Sequence, residues 1–192
     1  PTHHTRHIAI LERRSKAYIE SCCTIPEKGG LPNPLPAILD RIAEANVVFN
    51  TGHISGPEAV HLVDMAKRQG VHRILVPASH YSKDEVRALA DLGATVEFSF
   101  FFVSHATQAG LTHVDAESHT VPPVPLSVMV ELIRTATPQR SIINSDGGVF
   151  VLPPPVEALR EFLLLLQSAG LSRDELRTMS SVNPGRLFRV SP

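Results

Sequence analysis

Three residues that can ligate a metal or move a proton stand where apolar runs give way to turns. Val47-Val48-Phe49-Asn50-Thr51 leads through Gly52 to His53, and Ile74-Leu75-Val76-Pro77-Ala78-Ser79 leads to His80. Ser141-Ile142-Ile143-Asn144-Ser145 ends on Asp146 and turns at once on Gly147-Gly148. The carboxyl end of a buried strand is where α/β enzymes keep their reactive groups. Two imidazoles and a carboxylate converging from different strands suit a hydrolytic divalent ion, zinc first among them, with one position left for water. Singly each is ambiguous, since a histidine after a strand can face solvent and Asp-Gly-Gly is also an ordinary turn. Their recurrence at three of four strand ends makes a metal site the expectation.

Other residues are candidates around these three. Glu97 lies inside an apolar run, where one strand face would aim it at the interior and the other at solvent. Ser79 and Ser145 neighbour proposed ligands and could donate hydrogen bonds to them. His105 follows the same run as Glu97 closely enough to line a pocket. His3, His4 and His7 could bring imidazole from the N-terminus, or form a histidine-rich tail. His61, His72, His113 and His119 fall on helix faces, strand starts or polar loops and are expected at the surface. No Ser stands in a G-x-S-x-G setting, and there is no P-loop and no G-x-G-x-x-G, so a serine triad and a nucleotide cofactor lack support.

The elements that must position these residues alternate. Leu35, Ile38, Leu39, Ile42 and Ala43 predict an amphipathic helix over 35–44. A continuous apolar run at 46–51 predicts a strand buried on both faces. Ser55 or Gly56 can cap the next helix, with Pro57 at its first position and Gly70 just past its end. A strand over 71–76 and a helix opened by Ser82 and Glu85, an S-x-x-E capping box, follow. Then come a phenylalanine-rich strand over 95–102, a helix over 126–135, a strand over 141–144 and a helix over 156–169. Ser172 with Glu175 opens a shorter helix, and 183–188 forms a terminal turn. Residues 1–34, with some helical character at 5–18 and many Pro and Gly after it, read as an irregular segment or a remnant of earlier units.

Strand, short turn and helix recurring in this way predict an α/β fold with a parallel sheet, with (β/α) units over 35–192. A full eight-stranded barrel typically takes ~250 residues, and this chain has 192. Half a barrel, or an open sheet, fits better. Net charge is -1, with 18 basic and 19 acidic residues interspersed, so neither nucleic acid nor a membrane surface is an expected partner. Two adjacent cysteines, Cys22 and Cys23, suit reduced thiols and a cytoplasmic setting.

The runs Asn50-Thr51-Gly52-His53-Ile54-Ser55, Val76-Pro77-Ala78-Ser79-His80 and Asn144-Ser145-Asp146-Gly147-Gly148 resemble strands five, six and eight of the amidohydrolase superfamily. These are metal-dependent hydrolases on a (β/α)8 (TIM-type) barrel. The tail, Gly170-Leu171-Ser172 through Asp174-Glu175-Leu176 and Met179 to Asn183-Pro184-Gly185-Arg186-Leu187-Phe188, is similar to the last segment of many members. The resemblance implies metal ligation by His53, His80 and Asp146, with Asp146 also the base toward the metal-bound water. It implies a half-barrel lacking the N-terminal strands, because the first-strand His-x-His and a fourth-strand bridging ligand have no counterpart. Pro1-Thr2 would then be what remains of an earlier strand end.

The expected function is hydrolysis of an amide, lactone or ester of a small-molecule substrate. A decarboxylase of the same superfamily is the enzymatic alternative, and a non-catalytic barrel fragment acting as scaffold or binding module the other. Exposed outer strands would call for a homo-oligomer, or for the missing N-terminal barrel half.

Overall fold

The computed structural model describes residues 5–110 and 120–190. Four short strands, β1 (Phe49–Asn50), β2 (Ile74–Pro77), β3 (Thr95–Ser99) and β4 (Ser141–Asn144), form one sheet. All pairings are parallel, and the spatial order β1-β2-β3-β4 is the chain order. The α/β class and the parallel sheet are therefore as expected.

Ahead of the sheet lie α1 (Arg6–Leu11), α2 (Lys16–Ser21) and α3 (Leu35–Ala45). The connections carry α4 (Gly56–Arg68), α5 (Lys83–Asp91), the single turn α6 (Phe100–Val103) and α7 (Leu126–Ala136). After β4 come α8 (Pro155–Ser168), α9 (Arg173–Arg177) and α10 (Asn183–Phe188). Helices start where their sequences dictate. Ser55 with Glu58, Ser82 with Glu85 and Ser172 with Glu175 each form a complete capping box, satisfying N–H groups that have no partner inside the helix.

Register sorts the strand residues onto two faces. Ile74, Val76, Val96, Phe98 and Ile143 alternate onto the side where α4, α5, α7 and α8 pack in succession, and they join one large core with Leu62, Leu89, Met129, Leu132, Phe162 and Leu166. Phe98, Phe162 and Met129 are fully buried there. Each such side chain contributes roughly 1.5–3 kcal/mol relative to remaining in water. The opposite face bears Asn50, Leu75, Pro77, Glu97, Ser99, Ile142 and Asn144. Leu75 and Ile142 are covered by Leu187 of α10, with Val48 against them. Arg73 ties this cover down through its guanidinium to the Leu187 carbonyl, and Asn183 Nδ2 donates to Pro138 O at 2.8 Å and to Ser141 O at 2.7 Å.

Several elements depart from the sequence reading. β1 is shorter than 46–51 and is not buried on both faces: Val47 is 48% exposed and Asn50 is exposed. Among the described residues β1 pairs with β2 alone, so it is an edge strand. The phenylalanine run does not stay a strand to 102. β3 stops at Ser99, and Phe100, Phe101 and Phe102 form a helical turn with all three rings buried. A strand would turn every second ring away from the core, whereas a turn sends consecutive rings inward at different angles. The helical character at 5–18 resolves into α1 and α2, with Arg13 between them in a left-handed conformation (φ 56°). At the C-terminus a widened helical turn, Thr178–Val182, runs directly into α10. No helix among the described residues is long and apolar enough to cross a membrane.

Candidate functional site

Local turn chemistry holds His53 in place. Asn50 Oδ1 accepts the Gly52 N–H at 2.8 Å, and Gly52 takes φ 67°, which turns the chain off the end of β1. Two residues later the Ser55 capping box begins α4, so His53 is fixed from both sides. Its carbonyl accepts a hydrogen bond from the Thr5 hydroxyl, and the next carbonyl, of Ile54, accepts the Tyr81 hydroxyl at 2.7 Å. His80 follows β2 in the same manner, between the Tyr81 N–H to Ala78 O turn (3.0 Å) and the Ser82 capping box. Its ring stands edge-on to Phe102, 4.6 Å between centroids at 86°, and its Nε2 lies 2.9 Å from Pro122 O. Asp146 is exposed and adopts φ 48°, a left-handed conformation uncommon outside glycine. The Gly147 N–H bonds back to Ser145 Oγ at 3.2 Å, so Ser145 serves the turn itself.

Register resolves the open question about Glu97. It pairs with Pro77 and Ile142 on the face away from the main core, and there it is half-buried. Together with Asn50, Gly52, His53, Pro77, Ser99, Asn144 and Asp146 it lines a cleft of about 440 Å³ at the carboxyl end of the sheet. The Asn144 amide donates through Nδ2 to Glu97 Oε1, while Asn144 Oδ1 is buried with no partner among the described residues. Burial and then the charge of nearby Asp146 push the Glu97 carboxyl above its ordinary range, and the Asn144 hydrogen bond only partly offsets them. Partial burial lowers the His53 pKa despite its open side, with Asp146 acting in the opposite direction.

His7 is a member of the site that the sequence could not single out from its neighbours. α1 begins with Thr5 as its cap, and the Arg6 N–H bonds to the Cys23 carbonyl at 2.9 Å. A second fastening lies beside it: Glu58 Oε1 accepts the Thr24 hydroxyl and the Ile25 N–H, both at 2.8 Å. The N-terminal segment is thereby laid across the strand ends. His7 faces Tyr81 edge-on at 6.1 Å and, with His53, His80, Ser79 and Phe102, lines a cavity of about 10 Å³, room for about one water. Burial first, and then the neighbouring imidazoles, lower the His7 pKa. Burial also lowers that of His80, with the Pro122 bond opposing and His53 adding to it. Three imidazoles inclined to stay neutral thus meet at the strand ends.

The remaining candidates separate. Ser79 is buried and accepts the Ser99 N–H at 3.2 Å, pinning the ends of β2 and β3 together. His105 is exposed and lines a different, apolar groove with Val103, Pro123 and Leu165, so it is not brought to the cleft. His61 is not a plain surface residue, since its Nε2 is buried with no partner among the described residues, whereas His72 is exposed. Pro1, Thr2, His3, His4, His113 and His119 lie outside the described residues. In kind, the donors at the strand ends suit a divalent ion of the zinc class. The described residues nevertheless gather no group of three His, Cys, Asp or Glu side chains that could hold a metal ion.

Residues 1–97 match the model of a family described as a family of unknown function (DUF6282). No curated protein and no solved structure matches the chain.

Proposed function

The chain belongs to that family of unknown function, and from this premise, with no activity to inherit, we propose that it is the site-bearing part of a metal-dependent hydrolase of amidohydrolase type, built from consecutive (β/α) units of a TIM-type barrel. One observation carries the reading. Each of the four parallel strands delivers one ionisable side chain to the same end of the sheet: His53 after β1, His80 after β2, Glu97 on β3 and Asp146 after β4. Consecutive strand order supports the barrel part, because a doubly wound sheet reverses order at a switch point whereas neighbours in a barrel follow the chain. The polarity of the face opposite the main core supports it too. That face is apolar at Leu75 and Ile142 and polar at Glu97, Ser99 and Asn144, toward the ends where barrel enzymes place their chemistry.

In this reading His53, His80 and Asp146 would hold a divalent ion, zinc by preference. Such an ion would supply a bound water of lowered pKa and polarise the carbonyl under attack. The chain's own groups do the rest. Lowered imidazole pKa values keep His53 and His80 neutral and able to offer a lone pair. Asp146, held out on its turn, takes the proton from the attacking water and returns it to the leaving group. Glu97 keeps its proton to higher pH than an ordinary carboxyl and so can donate a hydrogen bond to a substrate oxygen. β1 and β4 are the outer strands among the described residues, and their edges would be met by further barrel strands or by a second copy of the chain.

Metal analysis of the purified chain after zinc loading, with His53→Ala and Asp146→Asn beside it, is the test. Stoichiometric zinc in the parent and its loss from both variants is the expected result. A parent that retains no metal, with both variants as stable as the parent, would sink the reading.

A further inference from the structure

The segments that lead into β2, β3 and β4 lie at the end of the sheet opposite the cleft, and their charge has one sign. Residues 67–73, 92–94 and 137–140 contain Lys67, Arg68, Arg73 and Arg140 and no Asp or Glu. Two of these cations are committed elsewhere. Arg68 pairs with Asp64 at 2.7 Å, and the Arg73 guanidinium is held by the carbonyls of Leu187 and Asn46. The other two meet over one atom. Lys67 Nζ lies 3.5 Å and Arg140 Nη1 3.3 Å from the Gly93 carbonyl oxygen, long for hydrogen bonds, and Lys67 also reaches the His72 carbonyl at 3.3 Å. Gly93, with φ 80°, follows the last turn of α5. A methyl group added to it would stand 3.7 Å from Lys67 Nζ and 4.0 Å from each Arg140 Nη, so both cationic heads face the same space beside the glycine. Burial and then the Arg140 charge lower the Lys67 pKa, with no carboxylate opposing them. Neither cation has a carboxylate partner among the described residues. The end of a helix offers roughly half a negative charge against their two positive ones. Capping α5 therefore leaves the pair largely uncompensated.

We propose that Lys67 and Arg140, converging beside Gly93, form a binding site for a phosphate-type dianion, free or esterified. Such a group brings two negative charges and only acceptor oxygens to a place that offers two positive charges and only donors. Arg140 has a single N–H engaged on Gly93, which leaves its planar fork for two oxygens, and Lys67 keeps one of its three N–H groups for a third. The absent side chain at Gly93 leaves the approach open. An anion held there would tie the segments entering β2, β3 and β4 to one another. The site stands at the opposite end of the strands from the cleft, so it does not depend on the hydrolase reading.

The test is titration calorimetry of the full chain with inorganic phosphate, methyl phosphate and acetate at constant chloride. Phosphate should bind at one site per chain, at least about tenfold more tightly than acetate, which brings one charge and two oxygens. Methyl phosphate binding as tightly as phosphate would support a site for an esterified phosphoryl group, and its exclusion a site for the free ion. Lys67→Gln and Arg140→Gln should each weaken phosphate binding at least about tenfold. Arg140→Lys, which keeps the charge and loses the fork, should weaken it less, and Arg68→Gln should leave it unchanged. No saturable phosphate binding, acetate bound as tightly as phosphate, or full affinity in folded Lys67→Gln and Arg140→Gln proteins would overturn the proposal. So would a loss in Arg68→Gln equal to that in Lys67→Gln, the mark of a diffuse positive surface. Thermal unfolding separates the site from a simple helix cap. Phosphate should raise the midpoint of the parent and not that of Lys67→Gln. A parent midpoint indifferent to phosphate, yet lowered by Lys67→Gln, would reduce the pair to a cap of α5 and overturn the proposal.

Discussion

The two faces of the sheet are made by residues that alternate along the same four strands, yet they have opposite chemistry. On β3, Val96 and Phe98 point into the helices and are fully buried, while Glu97 and Ser99 point the other way into a polar cleft. On β4, Ile143 belongs to the main core, and its neighbour Asn144 lines the cleft. One face is a packing surface and the other a display surface. The helices make the first rigid, and rigidity is what allows the second to carry two neighbouring carboxyls and an acceptor with no partner among the described residues.

The comparison can be broken most decisively at adjacent positions. Phe98→Ala should cost ~3–5 kcal/mol of stability by chemical denaturation, as for other large buried aromatics. Glu97→Gln, one residue away, should stay within about 1 kcal/mol of the parent. Similar losses from both would mean that the cleft face is also structural core. A smaller effect is expected where the N-terminal segment is fastened beside the site. Burial alone would raise the Glu58 carboxyl, but bonds from the Ser55 N–H and hydroxyl, the Ile25 N–H and the Thr24 hydroxyl outweigh it and hold the pKa below the usual carboxylate range.

A depressed carboxyl contributes stability that is complete above its unfolded pKa and lost as pH falls through the lower, folded value. Denaturation midpoints should therefore decline on acidification below the ordinary Glu range. Glu58→Gln should remove that part of the decline while costing roughly 1–3 kcal/mol at neutral pH. A pH profile unchanged by the substitution would show that Glu58 is not what fastens the segment. Least affected should be Ser172→Ala, which lines neither the cleft nor the small cavity. Loss of its cap on α9 should cost about 1 kcal/mol and leave zinc retention as in the parent.

Legibility in the sequence followed the range of the forces involved. The Ser82 and Ser172 starts were readable as Ser-x-x-Glu boxes, because a capping box is completed within four residues, whereas Ser55 stood beside Gly56 as one of two possible caps. The strand over 141–144 was also placed correctly, bounded as it is by turn residues on both sides. The end of β3 was not, because Phe100, Phe101 and Phe102 are good strand formers that the core instead takes up as a turn. His7 was one histidine among several near the N-terminus. What distinguishes it is the Thr5 bond to the His53 carbonyl and the Arg6 bond to Cys23, contacts between residues far apart in the chain. His105 failed for the converse reason, since nearness in sequence to β3 did not bring it to the cleft.

The sequence by itself determined that His53, His80 and Asp146 would sit just beyond strand ends, since alternating apolar runs and glycine-bearing turns are local and period-bound. Tertiary structure alone decided which side chains share a cavity. Parallel register aimed Glu97 and Asn144 together at the cleft, and the fastened N-terminal segment set His7 over His53 and His80. Such proximity depends on pairings between distant parts of the chain, which no short window of residues encodes.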